Sequence, residues 1–148
     1  MQTTKAPLAA ATVLAFDFGT RRIGVAVGNT ITRTAAALTT IEMADERARM
    51  EAIATLVHDW SPAQLVVGVP LHADGAEHAM TERARVFARQ LARRFALPVA
   101  AADERYTTEI AQQMLDASAT PRARHRALRD RVAAQVILQG WFDDPDAA

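Results

Sequence analysis

The hydrophobic pattern of the first forty residues predicts short strands joined by tight turns. Thr12–Phe18 is apolar apart from Asp17, a turn follows at Gly19–Arg22, and Ile23–Gly28 resumes an apolar run rich in valine. Two short apolar runs joined by a glycine-containing turn are typical of a β-hairpin. Ala35–Ile41, which ends in β-branched residues, is the candidate for a third strand.

Beyond residue 44 the pattern switches between a helical period and short apolar runs. Apolar residues from Met50 to Trp60 recur at spacings of three and four, which indicates one face of a helix. Prolines follow or precede several of these segments and mark their ends. The predicted elements are, in order, a helix over about Asp45–Trp60, a strand over Gln64–Val69, a helix over about His78–Phe95, a strand over Leu97–Ala102, and helices over about Thr107–Ala117 and Leu128–Phe142.

Three consecutive strands followed by strands that alternate with helices predict an α/β protein. The first three strands read as an antiparallel meander, whereas parallel strands need crossover connections, which helices usually supply. The expected architecture is a five-stranded mixed sheet covered by helices, in a single domain spanning residues 12–143. We interpret residues 1–11 as a disordered N-terminal tail and residues 144–148 as an acidic C-terminal tail.

The composition excludes several classes of protein. The chain of 148 residues has no cysteine, which excludes a disulfide framework, a thiol nucleophile and a cysteine-ligated zinc or iron–sulfur site. A reducing cytoplasm is the expected compartment. No apolar run approaches the roughly 20 residues needed to span a bilayer, so no membrane partner is expected.

The overall charge argues at first against a nucleic-acid partner. Seventeen basic and seventeen acidic residues give a formal net charge of +0, whereas nucleic-acid-binding domains usually carry a basic excess. The sum hides a local pattern, because five arginines and one aspartate lie between Pro121 and Arg131. A basic segment in a neutral chain leaves nucleic acid open as a partner, with weak and salt-sensitive binding expected.

Acidic residues stand at three places where the pattern is otherwise apolar. Asp17 lies inside the first strand, Asp103 and Glu104 follow the last strand, and Asp130 begins the apolar stripe of the last helix. Each position also has an ordinary interpretation, such as a solvent-facing acid near a turn or an acid favoured by a helix N-terminus. If the three elements converge, the acids form a cluster of hard oxygen ligands that suits Mg²⁺ or Mn²⁺.

Four blocks of sequence resemble the YqgF/RuvX family, in family order and over nearly the whole chain. The blocks are LAFDFGTRRIGVAV (Leu14–Val27), VVGVPL (Val66–Leu71) followed by Asp74 and Gly75, DERYTT (Asp103–Thr108) and DRVAAQVILQ (Asp130–Gln139). The resemblance implies an RNase H-like fold with strand order 3-2-1-4-5 and a bacterial cytoplasmic nuclease that matures the 5′ end of pre-16S rRNA. The chain departs from the family pattern at two places. His72 stands where many members have Asn, and Gly28-Asn29 stands where many have Ser-Asp.

The resemblance also implies roles for individual residues. Asp17, Glu104 and Asp130 match the catalytic acids that bind metal, with Asp103 as the alternative to Glu104. The implied mechanism is phosphodiester hydrolysis assisted by two Mg²⁺ or Mn²⁺ ions. The residues expected to contact nucleic acid are Arg21, Arg22, Arg105, Thr107, Thr108, Arg122, Arg124 and Arg126.

Several alternatives stay open at this point. A Holliday junction resolvase acting on branched DNA is the alternative nuclease, and a two-fold junction favours a dimer, whereas a precursor-rRNA nuclease is compatible with a monomer. The segment Asp17–Thr20 also resembles the phosphate-binding hairpin of actin-like ATPases and sugar kinases, although the chain has length for only one of their two domains. A non-catalytic RNA-binding module is a further alternative. Association with a ribosomal subunit is compatible with either RNA-related function.

Overall fold

A computed structural model describes residues 11–70, 79–103 and 125–144 of the chain. These ranges contain five strands and three helices. In chain order the elements are β1 (Thr12–Phe18), β2 (Arg22–Asn29), β3 (Thr34–Glu42), α1 (Glu46–Trp60), β4 (Gln64–Val69), α2 (Thr81–Phe95), β5 (Val99–Asp103) and α3 (His125–Asp143). The helix predicted over Thr107–Ala117 lies outside the described residues, as do residues 1–10 and 145–148 of the two predicted tails.

The five strands form one mixed sheet in the order β3-β2-β1-β4-β5. β1 pairs with β2, and β2 with β3, in antiparallel fashion, whereas β1–β4 and β4–β5 are parallel pairs. Both the strand order and the mixed character confirm the prediction. The parallel pairs are possible because α1 and α2 supply the long crossover connections that a parallel strand requires.

The observed element ends differ from the predicted ones by two or three residues at several places. α1 begins where Asp45 caps it, with the carboxylate of Asp45 accepting from the backbone N–H of Ala48 at 2.9 Å. α2 begins at Thr81, whose buried hydroxyl donates to the carbonyl of Pro70 at 2.5 Å. β5 begins only at Val99 because Pro98 has no N–H for strand pairing.

Alternation along β1 divides the interior into two layers. Leu14 and Phe16 point to the face covered by α1 and α2, where they pack in one apolar cluster with residues such as Ile53 and Leu91. Val13 and Ala15 point to the opposite face, where they pack in a second cluster with α3. Residues of β1 with odd numbers therefore face α3.

The predicted apolar stripe of α1 needs correction at its end. Trp60, assigned to the apolar stripe of α1, is 40% exposed and is the last residue of the helix. In α3, Phe142 is buried, and Trp141 is partly buried and packs against the same cluster. Within the described ranges no helix has both the length and the apolar composition needed to cross a bilayer.

Candidate active site

The site predicted from the sequence begins with Asp17 near the end of β1. Asp17 continues the alternation of Val13 and Ala15, and these two residues pack against α3. Asp17 therefore faces α3. It lies just before the turn that joins β1 to β2. Its Cα partner on β2 is Gly24. The side chain of Asp17 is half-buried and interacts with neighbouring groups.

Gly24 brings the backbone of α3 directly onto the sheet beside Asp17. A Cβ atom built on Gly24 would overlap the carbonyl oxygen of Asp130, so only glycine permits this approach. Because Asp17 and Asp130 flank the same glycine, β1, β2 and the first turns of α3 meet at one place. The structure thus brings together two of the acids that the sequence analysis singled out.

The carboxylate of Asp130 is bound by an arginine of β2. The Nε of Arg22 donates to Oδ2 of Asp130 at 2.6 Å, which links residues 108 apart in the sequence. The exposed fractions of the two side chains are only 27% and 16%, so the pair is largely shielded from solvent. Arg22 therefore belongs to the acid cluster itself, in addition to any contact it makes with nucleic acid.

A second arginine, missed by the sequence analysis, holds the hairpin turn that follows Asp17. Arg49 of α1 is only 8% exposed, and its Nη1 donates to the carbonyl oxygens of Gly19 and Thr20 at 2.9 and 3.0 Å. Its guanidinium lies 5.5 Å from the centre of the Phe18 ring, which adds a cation–π contact. The available signal was its spacing, since Arg49 lies four residues before the buried Ile53.

The second acid position predicted by the sequence is only partly described. Asp103 is the last residue of β5 and is exposed. On this strand Ala100 and Ala102 pack in the α3 cluster, and Val99 packs in the opposite cluster. By alternation Asp103 belongs to the face opposite Asp17 and Asp130. Glu104 lies outside the described residues.

The donors at this site suit a hard divalent cation. Asp17 and Asp130 supply carboxylate oxygens, the ligands that Mg²⁺ and Mn²⁺ prefer. Within residues 11–70, 79–103 and 125–144, no three His, Cys, Asp or Glu side chains are grouped closely enough to hold a metal ion. The two described acids are therefore two members of the predicted set of three, and the third position stays a prediction.

The residues predicted to contact nucleic acid are described only at the hairpin. Arg21 is exposed in the turn between β1 and β2, directly before Arg22 in the sequence. Arg105, Thr107, Thr108, Arg122 and Arg124 lie outside the described residues, as do the side chain of Arg126 and the family departure at His72. At the other family departure, the side chain of Asn29 accepts from the N–H of Ile31 at 2.7 Å, so it caps the turn between β2 and β3.

Comparison with known proteins supports the resemblance seen in the motifs. A family model described as "RuvX: Holliday junction resolvase" matches residues 11–144. A protein of Nitrosomonas europaea named "Putative pre-16S rRNA nuclease" is 53% identical over 137 residues, which cover 93% of each chain. A protein of Chromobacterium violaceum with the same name is 50% identical over 136 residues, 91% of this chain and 99% of its own.

Among solved structures, RuvC of T. thermophilus in complex with a Holliday junction substrate has a similar fold. The TM-score is 0.55 and the sequence identity 21%, over 89% of this chain and 93% of that chain. At this identity the likeness shows the RNase H-like fold alone. Because the family model matches residues 11–144, and because two relatives are at least 50% identical to this chain over more than nine-tenths of its length, the chain belongs to the RuvX family.

Proposed function

We propose that the chain is a nuclease that hydrolyses phosphodiester bonds in precursor 16S rRNA with the help of Mg²⁺ or Mn²⁺. The observation that carries the proposal is the meeting of Asp17 and Asp130 at Gly24, on the face of the sheet covered by α3. The names of the relatives in Nitrosomonas europaea and Chromobacterium violaceum support the RNA substrate. The absence of cysteine is compatible with action in the reducing cytoplasm.

In this proposal the chain's own residues supply ligands and positioning. Asp17 and Asp130 hold the cations through their carboxylate oxygens, and Glu104 completes the set. We prefer Glu104 to Asp103 because Asp103 belongs to the opposite face of β5. When bound, the cations activate water and stabilise the leaving oxygen. Arg21, exposed in the hairpin turn next to Arg22, is the described residue that we expect to contact a substrate phosphate.

The first test is a cleavage assay with the D17N variant. Replacing Asp17 removes a charged ligand at the centre of the site, so we expect the rate in Mg²⁺ or Mn²⁺ to fall by at least about a hundredfold. The matched control is D59N, which makes the same chemical change at an exposed residue of α1. Full activity in D17N would contradict the assignment, provided that D17N and the wild type have the same circular dichroism spectrum.

Branched DNA is the second candidate substrate, favoured by the description of the matching family model. The same assay therefore compares a precursor 16S rRNA fragment with a four-way DNA junction. We expect cleavage of the RNA, and a monomer is sufficient for that activity. Cleavage of the junction alone, by a dimer, would instead support resolution of a two-fold symmetric substrate. Binding of RNA without any cleavage would support a non-catalytic RNA-binding module.

A further inference from the structure

The ion pair between Arg22 and Asp130 is the most distinctive contact of the acid site. Arg22 pairs directly with Glu42 on β3, and Glu42 is exposed. Strand pairing alone would therefore suggest Glu42 as the ion-pair partner of Arg22. In the described part of the chain its ion pair is nevertheless with Asp130 of α3, at 2.6 Å. The fold therefore directs this guanidinium to a carboxylate that the proposed function assigns to a metal ion.

A positive charge on a metal-ligating carboxylate opposes the binding of a second cation there. The hydrogen-bond partner of a metal-ligating histidine is commonly a carboxylate or a carbonyl group, which strengthens the ligand, whereas an ionised carboxylate ligand only accepts hydrogen bonds. A guanidinium has the opposite effect, because it neutralises the carboxylate and repels a divalent cation nearby. The pair is largely shielded from solvent, so this opposition is screened less than it would be at the surface.

We propose that Arg22 competes with the divalent cation for Asp130 and thereby sets the metal affinity of the site. The inference rests on the proposed function, since it takes Asp130 as a metal ligand. Binding of the cation draws Oδ2 of Asp130 away from Nε of Arg22. The released guanidinium stays beside the site, where it is available to a phosphate group.

The test is a calorimetric titration of the wild type, R22Q and R21Q with Mn²⁺ alone. We expect R22Q to bind Mn²⁺ at least roughly tenfold more tightly, because the repulsion that is removed has about this size in water and is larger where the charges are partly shielded from solvent. R21Q is the matched control, because it loses the same charge from the neighbouring exposed residue, which has no ion pair within the described ranges. Equal or weaker binding by R22Q than by the wild type would overturn the proposal.

A second measurement uses the wild-type protein and does not depend on the folding of R22Q. The Nε–Hε resonance of Arg22, assigned by its loss in R22K, is followed by NMR during titration with diamagnetic Mg²⁺. We expect this resonance to move towards that of the exposed Arg21 as the ion pair opens. A resonance that stays unchanged at saturating Mg²⁺ would show that the ion pair survives, and competition would be excluded.

Two further variants separate this inference from the proposed function. D17N and D130N should each weaken Mn²⁺ binding if the acids form the metal site. If both bind Mn²⁺ as the wild type does, the proposed metal site and the role of Arg22 fail together. If both lose affinity while R22Q gains none, the metal site stands and only the competition is overturned.

Discussion

At the scale of single residues, two arginines from different elements shape the candidate site. Arg22 binds the carboxylate of Asp130, and Arg49 binds the two carbonyl groups of the hairpin turn beyond Asp17. Arg49 is buried, and it has no ion pair with a carboxylate in the described ranges. Its hydrogen bonds to backbone oxygens and its contact with Phe18 must therefore offset the cost of burying its charge.

Replacing Arg49 by methionine is expected to destabilise the protein by roughly 2–3 kcal/mol, because hydrogen bonds that involve a charged donor contribute about that much. Methionine retains most of the apolar length but cannot donate to Gly19 or Thr20. R47M is the control, since Arg47 is an exposed residue of the same helix and the charge change is identical. Urea unfolding of both variants is the measurement, and equal midpoints for R49M and R47M would contradict a structural role for Arg49.

At the scale of elements, the packing of α3 on β2 decides whether the acids meet. Gly24 and Gly28 of β2 lie under this helix, and a Cβ atom at either position would collide with it, at Asp130 and at Phe142 respectively. The two glycines thus let the helix approach the sheet at both of its ends. The helix is also tied to β3, where Gln139 accepts from the N–H of Ala35 at 3.0 Å.

A methyl group at Gly24 is expected to push α3 away from the sheet. Overpacking a core costs roughly 1–3 kcal/mol, and here the obstacle is backbone, which yields less than a side chain. We expect G24A to lower the free energy of unfolding by at least that amount and to weaken Mn²⁺ binding.

For the control substitution, G140A, we expect a change in stability of the opposite sign. Gly140 lies inside the same helix, and a Cβ atom there meets no neighbour within 4 Å among the described residues. G140A should therefore stabilise the protein by about 0.5–1 kcal/mol, because alanine loses less backbone entropy than glycine in a helix. Thermal unfolding followed by circular dichroism measures both variants. A stabilising G24A would contradict the close approach of α3.

At the scale of the whole molecule, a net charge of +0 coexists with an acid site bordered by arginines. The exposed Arg21 lies at the hairpin, and the segment between Pro121 and Arg131 carries five arginines against one aspartate. A neutral protein gains little from long-range attraction to nucleic acid, so its binding depends on a few local contacts with phosphate groups.

This charge distribution predicts a moderate salt dependence for RNA binding. Each neutralised phosphate of a single strand contributes about −0.7 to the slope of log affinity against log salt concentration. Three or four contacts therefore reduce the affinity roughly 10- to 100-fold between 50 and 200 mM salt. Fluorescence anisotropy with the D17N variant, which is expected not to cleave the RNA, measures this slope. An affinity independent of salt would contradict binding through phosphate groups.

The sequence by itself determined the kind and order of the elements. Alternation in β1 and the spacing of apolar residues in α1, α2 and α3 follow from the local geometry of strands and helices. This geometry does not depend on how the elements pack together. The same local pattern identified Asp17 and Asp130, because an acid in an apolar stripe is costly unless the fold uses it. The strand order 3-2-1-4-5 came from the resemblance to a family, and the sheet confirmed it.

Only the tertiary structure decided which side chains meet. Periodicity did not indicate that Arg22 would bind Asp130, 108 residues later, in preference to Glu42 on the adjacent strand. Nor did it indicate that Arg49 would be buried under the hairpin turn, or that Asp103 would belong to the face opposite Asp17. These features depend on the distance and orientation at which helices pack on the sheet. That packing is set by the sizes of residues such as Gly24, and contacts between distant segments leave no period in the sequence.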